Sequence, residues 1–399
     1  MDKKPNPSPP ANYSNIEDCG CSKNKPRIEF GELSIGDVAV SHLKDVCDTS
    51  WASMGPKVRA FEKHWSFLFD YRDSVAVSSG TDACINACLS IYDLKEASRG
   101  DEIIVPALSF IATSNAVRMA GFTPVFVDVK KETLNIDEDL IEDHITEKTR
   151  AIMVVHTMGK PCDMTKIKEI SDKHNLILIE DACEAHGAMH KGTRIGHFGD
   201  MACFSFYIAH LVCCGEGGMV STASSEVADL IRSTRSHGRP FDSIYFDHER
   251  AGINSKMNDL EASIGLESIE KFWKTFNTRR ETIKRFRMAC VGMDDVAWFS
   301  EEDARDVNCP HGFSITTKEP EAIWHVVDTL NKYNIHWKRN FGCIPTQHKA
   351  FEDMGHSIGE FPNAEWVGDN GVHIGCHQYL SEEDILRVEV ALREALVIP

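Results

Sequence analysis

Between residues 74 and 222, short and almost unbroken apolar runs alternate with longer amphipathic stretches, and this alternation most narrows the choice of fold. "SVAVSS" (74–79) reads as a strand and "GTDACINACLSIYDL" after it as a helix. "DEIIVPA" is a strand, followed by the helix "SFIATSNAVRMAG" that Gly121 ends. "TPVFVDV" and "AIMVVHT" are strands, "MTKIKEISDKHN" a helix and "LILIEDA" a strand. "DMACFSFY" and "GGMVST" add two short strands. Strands apolar on both faces need cover on both faces, which predicts a mostly parallel sheet between layers of helices. Such sheets take ligands beyond the carboxyl ends of their strands.

The pattern changes after "KMNDLEASIGLESIEKFWKTFNTRRETIKRFRMAC", which reads as one or two basic amphipathic helices. "HGFSITT", "AIWHVVDTLNKYNIHWK", "GVHIGCH" and a last helix "SEEDILRVEVALREAL" then predict a smaller α/β unit. The expected organisation is a flexible extension over 1–26, a large domain over 27–275 and a small C-terminal domain over 276–399. A chain of 399 residues with 42% hydrophobic and 26% charged residues has the makings of two folded units sharing a cleft.

Several function classes are disfavoured. A net charge of −18 opposes binding to polyanions, so neither nucleic acid nor an anionic membrane is an expected partner. The polar N-terminus lacks the apolar core of a signal peptide, and no apolar run is long enough to span a bilayer. A cytoplasmic location is expected. The 14 cysteines include Cys19/Cys21 and the adjacent Cys213/Cys214, but no C-x2-C pair. Free thiols and no metal site are the expectation. G-x-G-x-x-G, P-loop lysine and H-E-x-x-H patterns are all missing.

The chemistry gathers at strand ends. "SSGTDA" joins a strand to a helix start, where Gly80 permits close approach and Thr81 offers a hydroxyl, a setting that suits an anion as well as an ordinary N-cap. Phe110 follows the next strand and is either core or a platform for a flat ring. Asp181 ends a very apolar strand, where a carboxylate needs a partner: a helix cap or a protonated heterocycle. Ser205 ends another strand and could donate to a phosphate. Five residues on, within "CFSFYIAHLVCCGEGGMV", stands His210: a buried structural residue, a metal ligand or a proton-transfer group.

Together "GPKVRAFEKHW", "VAVSSGTDAC", "PALSFIATSNAV", "DACEAHGA", "FGDMACFSFY", "GEGGMV" and "GINSKMNDLEASIGL" resemble the DegT/DnrJ/EryC1/StrS family of vitamin B6-dependent sugar aminotransferases and dehydratases. The resemblance implies an aspartate-aminotransferase-like fold binding pyridoxal or pyridoxamine 5′-phosphate. It places Gly80, Thr81 and Ser205 at the cofactor phosphate, Phe110 on the pyridine ring and Asp181 at the ring nitrogen. Glu184 stands near the ring hydroxyl, where the family often has Gln or His. Asn254 and Lys256 match a segment that reaches into the partner subunit's site, which implies a homodimer. Cys213 and Cys214 become small residues beside the cofactor.

Most members carry Ser-Phe-x-x-x-Lys, and that lysine holds the cofactor covalently. Here the spacing runs from Ser205 to His210, and 203–220 contain no lysine. Histidine at this place resembles the NDP-4-keto-6-deoxyhexose 3-dehydratase branch. Imidazole can move protons but cannot form the stable covalent link. The expected activity is loss of the C3 hydroxyl from a nucleotide-linked 4-keto-6-deoxy sugar. His210 would take a proton from the cofactor's C4′ carbon and assist the leaving hydroxyl. The resemblance implies that an amino donor such as glutamate restores the amine form in one dehydratase type; the other type carries an iron–sulfur cluster and is disfavoured here, as 221–258 hold no cysteine. A sugar aminotransferase and an inactive cofactor-binding paralogue are the alternatives.

Overall fold

The computed structural model describes residues 26–240, 247–320 and 322–397. Cys19, Cys21 and most of the expected N-terminal extension lie outside the described residues, as does the middle of the "HGRPFDSIYFDHER" loop.

The apolar runs become a seven-stranded sheet. Its strands are β1 (Asp73–Val77), β2 (Glu102–Pro106), β3 (Thr123–Val127), β4 (Thr149–Val155), β5 (Ile177–Asp181), β8 (Met201–Ser205) and β9 (Gly218–Thr222). A two-stranded hairpin, β6 (Met189–His190) and β7 (Thr193–Arg194), lies between the fifth and sixth of them. Spatial order is β1-β9-β8-β5-β4-β2-β3. β9 runs antiparallel to both β1 and β8, and the remaining pairings are parallel. Apolar side chains from alternate positions fill two cores. Ile103, Val105 and Ile179 face one helix layer, and Ile104, Val154 and Leu178 the other. Burial of both faces is what the unbroken apolar runs require.

The helix Gly80–Lys95 starts on Ser79, whose Oγ accepts from Asp82 N. Gly121, at φ 93°, ends Ala112–Ala120, and its amide bonds back to Arg118 and Val117 carbonyls. Asn258 caps Asp259–Glu270 and Ser381 caps Glu382–Ala395.

The second sheet is antiparallel, in the order β10 (Ala297–Phe299), β11 (Gly312–Thr317), β13 (Gly371–Gly375), β12 (Trp337–Arg339). Three features tie it to the first. Ile28 bridges to Ile335 and lies in the second unit's core. The helix Phe272–Ala289 gives Phe272 and Phe276 to the large core but Phe286 and Ala289 to the small one. Cys343, Phe351, Phe361 and Val367, late in the chain, pack into the large unit. No helix among the described residues is long and apolar enough to cross a membrane.

Candidate functional site

A cavity of about 460 Å³ opens at the carboxyl ends of β1, β2, β5 and β8, walled on its far side by the second unit. Gly80, Thr81, Phe110, Asp181, Glu184, Ser205 and His210 all line it. Residues 80 to 210 of the sequence thus converge on one space, as ligand sites at strand ends do.

At one end lies an anion cradle. Ser79 satisfies the Asp82 amide, which leaves the Gly80 and Thr81 amides, with no intrahelical acceptor, at the mouth of the helix. A Cβ on Gly80 would sit 2.5 Å from Ser205 Cβ and 3.1 Å from Cys183 Sγ, so only glycine lets helix and strand close on each other. Ser205 Oγ accepts from the Tyr207 amide and borders the same space. A phosphate group fits these donors and the helix dipole behind them.

Asp181 is buried at the cavity floor. Its Oδ2 accepts from Thr113 Oγ1 at 2.8 Å and its Oδ1 from the Cys183 amide at 3.3 Å. Burial nevertheless pushes the carboxyl above its ordinary range, and these bonds only partly offset it. A carboxylate in that state is completed by a cationic N–H, such as a pyridinium nitrogen. Phe110 is 62% exposed, an open aromatic face on the cavity wall. Phosphate donors, an aromatic face and a buried carboxylate match the three parts of pyridoxal phosphate. Bound there, the cofactor would supply an amine and an electron-accepting ring.

His210 sits on a turn that the rest of the molecule holds firmly. Arg279, fully buried on the helix Phe272–Ala289, donates to the Ala209 carbonyl at 2.9 Å and the His210 carbonyl at 3.2 Å. The His210 amide donates to Tyr207 O, and the Cys214 amide to Phe206 O. His210 Nδ1 is buried without a hydrogen-bond partner among the described residues, and the residue lines the cavity. Burial pushes the imidazole well below its ordinary value, and neighbouring His311, His186, Arg279 and Lys338 add to the effect. His210 is therefore neutral near pH 7, as a base must be.

Cys213 and Cys214 do not sit beside the cofactor space, contrary to the sequence expectation. They are on the far side of the turn, where the Cys213 amide donates to Ser268 Oγ and Cys214 Sγ packs toward Gly265. Cys84 and Cys183 line the cavity instead. With Asp181 they form a trio whose ligand-capable atoms lie within 4.8 Å of one another. Contact with Cys84 and then burial push the Cys183 thiol well above its usual range, so it stays protonated. Asn254 and Lys256 pair with each other and lie outside the cavity wall of their own chain.

The second unit contributes His311, Lys338, Phe341 and His373 to the wall, and Phe30 lies beside them. His311 Nε2 lies 3.3 Å from Glu184 Oε1. Lys338 is, among the described residues, the one lysine on the cavity wall, and desolvation holds its ammonium below the usual range. No periodicity marks such residues, because their place depends on how two units meet.

An α/β fold with an anion cradle, an open aromatic face and a buried carboxylate around one cavity suits a pyridoxal-phosphate-dependent enzyme of the aspartate-aminotransferase-like class. The chain belongs to the DegT/DnrJ/EryC1/StrS aminotransferase family, whose model matches residues 34–393. It is 31% identical to GDP-perosamine synthase of Caulobacter vibrioides over 392 residues, covering 93% of this chain and 99% of that protein. It is 32% identical to dTDP-4-dehydro-2,6-dideoxy-D-glucose 3-dehydratase of Saccharopolyspora spinosa over 382 residues, covering 85% and 80%. The putative sugar aminotransferase Spr1654 of Streptococcus pneumoniae, in its PMP form, superposes with a TM-score of 0.85 at 23% identity, covering 93% of this chain and 98% of that one. The chain is thus a pyridoxal-phosphate enzyme of the nucleotide-sugar aminotransferase and dehydratase family.

Proposed function

We propose that the protein removes the C3 hydroxyl of a nucleotide-linked 4-keto-6-deoxy sugar, with pyridoxamine phosphate held non-covalently and glutamate restoring its amine. The observation that carries this reading is His210 on the cavity wall, at the place where the family pattern has lysine. Gly80, Thr81 and Ser205 hold the phosphate, Phe110 covers the ring, and Asp181 keeps the ring nitrogen protonated. His210 receives and returns the proton. Lys338 and Arg339 at the cavity wall suit the sugar nucleotide's diphosphate despite the chain's overall negative charge. Asn254 and Lys256 complete the site of a second copy in a homodimer, which accounts for their position outside their own cavity.

A sugar aminotransferase is the second reading, and Lys338 favours it, as an amine with a depressed pKa on the cavity wall. Borohydride reduction of the cofactor-loaded enzyme, followed by peptide mass mapping, separates the two. Dehydration by His210 predicts no cofactor on any lysine. Cofactor fixed to Lys338 or Lys256 would overturn it.

A further inference from the structure

Three groups on the cavity wall are placed for a chemistry that the proposed reaction does not use. Cys84 stands near the start of the helix Gly80–Lys95, and Cys183 lies two residues past the end of β5, which Asp181 closes. Gly80 makes their meeting possible. A Cβ there would come within 3.1 Å of Cys183 Sγ, so the bare backbone lets that thiol settle against the helix that carries Cys84. The bond from the Cys183 amide to Asp181 Oδ1 folds the strand end back and keeps thiol and carboxylate together. Cys84 Sγ, Cys183 Sγ and an Asp181 carboxylate oxygen all lie within 4.8 Å of one another. Tetrahedral zinc, with bonds of about 2.3 Å to sulfur and about 2.1 Å to oxygen, sets its ligand atoms about 3.6–3.8 Å apart. Small side-chain rotations would close the remaining gap. No C-x2-C spacing announces these ligands, because the fold and not the sequence brings them together.

The donor set selects among cations. Two thiols and one carboxylate suit a thiophilic divalent ion of the zinc class, whereas magnesium and calcium call for oxygen ligands. Asp181 is buried, and its bonds from Thr113 Oγ1 and the Cys183 amide offset that burial only in part, so a cation completes it. Contact with Cys183 lowers the Cys84 thiol, but contact with Cys203, burial and the Asp181 charge outweigh it and hold the thiol well above its usual range. Cys183 is held up as well, first by Cys84 and then by burial. Both sulfurs therefore carry protons until an ion arrives. The ion displaces those two protons to solvent as the sulfurs bind it, with no change of oxidation state. All three groups border the open cavity, which gives the ion a path in and leaves its fourth position to water.

We propose that Cys84, Cys183 and Asp181 form a binding site for a zinc-class divalent cation, and that this cation and the cofactor exclude each other. Asp181 can pair with the metal or with the pyridinium nitrogen, not with both. The exclusion rests on the reading of Asp181 as the ring-nitrogen partner; the metal site itself does not.

Cobalt(II) is the probe, because it occupies zinc sites and thiolate ligands give it a charge-transfer band in the near ultraviolet. Full-length protein freed of cofactor, with its thiols kept reduced, should develop that band on titration with cobalt. Cys84→Ser and Cys183→Ser should each weaken cobalt binding by at least about 10-fold, since even the outer partners of metal ligands are worth that much. Cys213→Ser should leave it unchanged. Pyridoxamine phosphate added to the cobalt-loaded protein should remove the band. No band in the wild type, or a band that Cys183→Ser retains at full affinity, would overturn the metal site. A band that persists at saturating pyridoxamine phosphate would overturn the exclusion. If Cys84→Ser does not fold, Cys183→Ser decides, because its side chain is the less buried of the two. Failure of the cofactor reading looks different: Asp181→Asn would keep wild-type affinity for pyridoxamine phosphate while still losing affinity for cobalt.

Discussion

Conversion of the sugar by His210→Asn is expected to fall by about 10²- to 10⁴-fold, the usual worth of a positioned proton-transfer group. Cofactor affinity should be unchanged, because the phosphate cradle and Asp181 are elsewhere in the cavity. The turn should survive the substitution. Arg279 holds it through the carbonyls of residues 209 and 210, not through the imidazole. Single-turnover conversion together with a fluorescence titration of pyridoxamine phosphate checks both parts. The pH profile carries a sign as well. A histidine whose value is lowered stays neutral, and active as a base, through its ordinary value of 6.5. The wild-type rate should therefore fall only at a pH well below that. An acid limb centred at 6.5 or above would show that some other group takes the proton.

Asp181→Asn should be nearly as damaging, for a different reason. The amide oxygen can still accept from the Cys183 amide while its NH2 donates to Thr113 Oγ1 in a reversed bond, so the floor should retain its shape. What is lost is the charge opposite the ring nitrogen. A charge-assisted bond is worth about 1.5–3 kcal/mol, so cofactor binding should weaken about 10- to 100-fold. The rate should drop further at saturating cofactor, because an unprotonated ring accepts electrons poorly. Calorimetric titration and a saturated single turnover separate the two losses. Wild-type affinity in Asp181→Asn would show that this carboxylate does not meet the ring.

Much of the site was legible because its large-domain residues fall at strand ends. Gly80, Asp181 and Ser205 were readable from apolar runs interrupted by a glycine, a carboxylate and a hydroxyl. The parallel sheet followed from the same runs, although the antiparallel course of β9 did not: a short apolar strand reads alike in either direction. Side-chain facing within the turn was equally hidden. Cys213 and Cys214 are close to His210 in sequence but do not line the cavity, whereas Cys84 and Cys183, far apart in sequence, do. His311 and Lys338 were missed because their position depends on how the second unit docks. No local pattern encodes that contact. The junction of Gly159 with Cys309 and the helix shared by both cores build it.

The most direct test of the central claim is the mass of the sugar product. The enzyme would be given pyridoxamine phosphate, glutamate and GDP-4-keto-6-deoxymannose, alongside other 4-keto-6-deoxy nucleotide sugars. Dehydration at C3 predicts a product lighter than its substrate by one oxygen, with the keto group retained. A product with nitrogen in place of the keto oxygen would identify an aminotransferase and contradict the role given to His210.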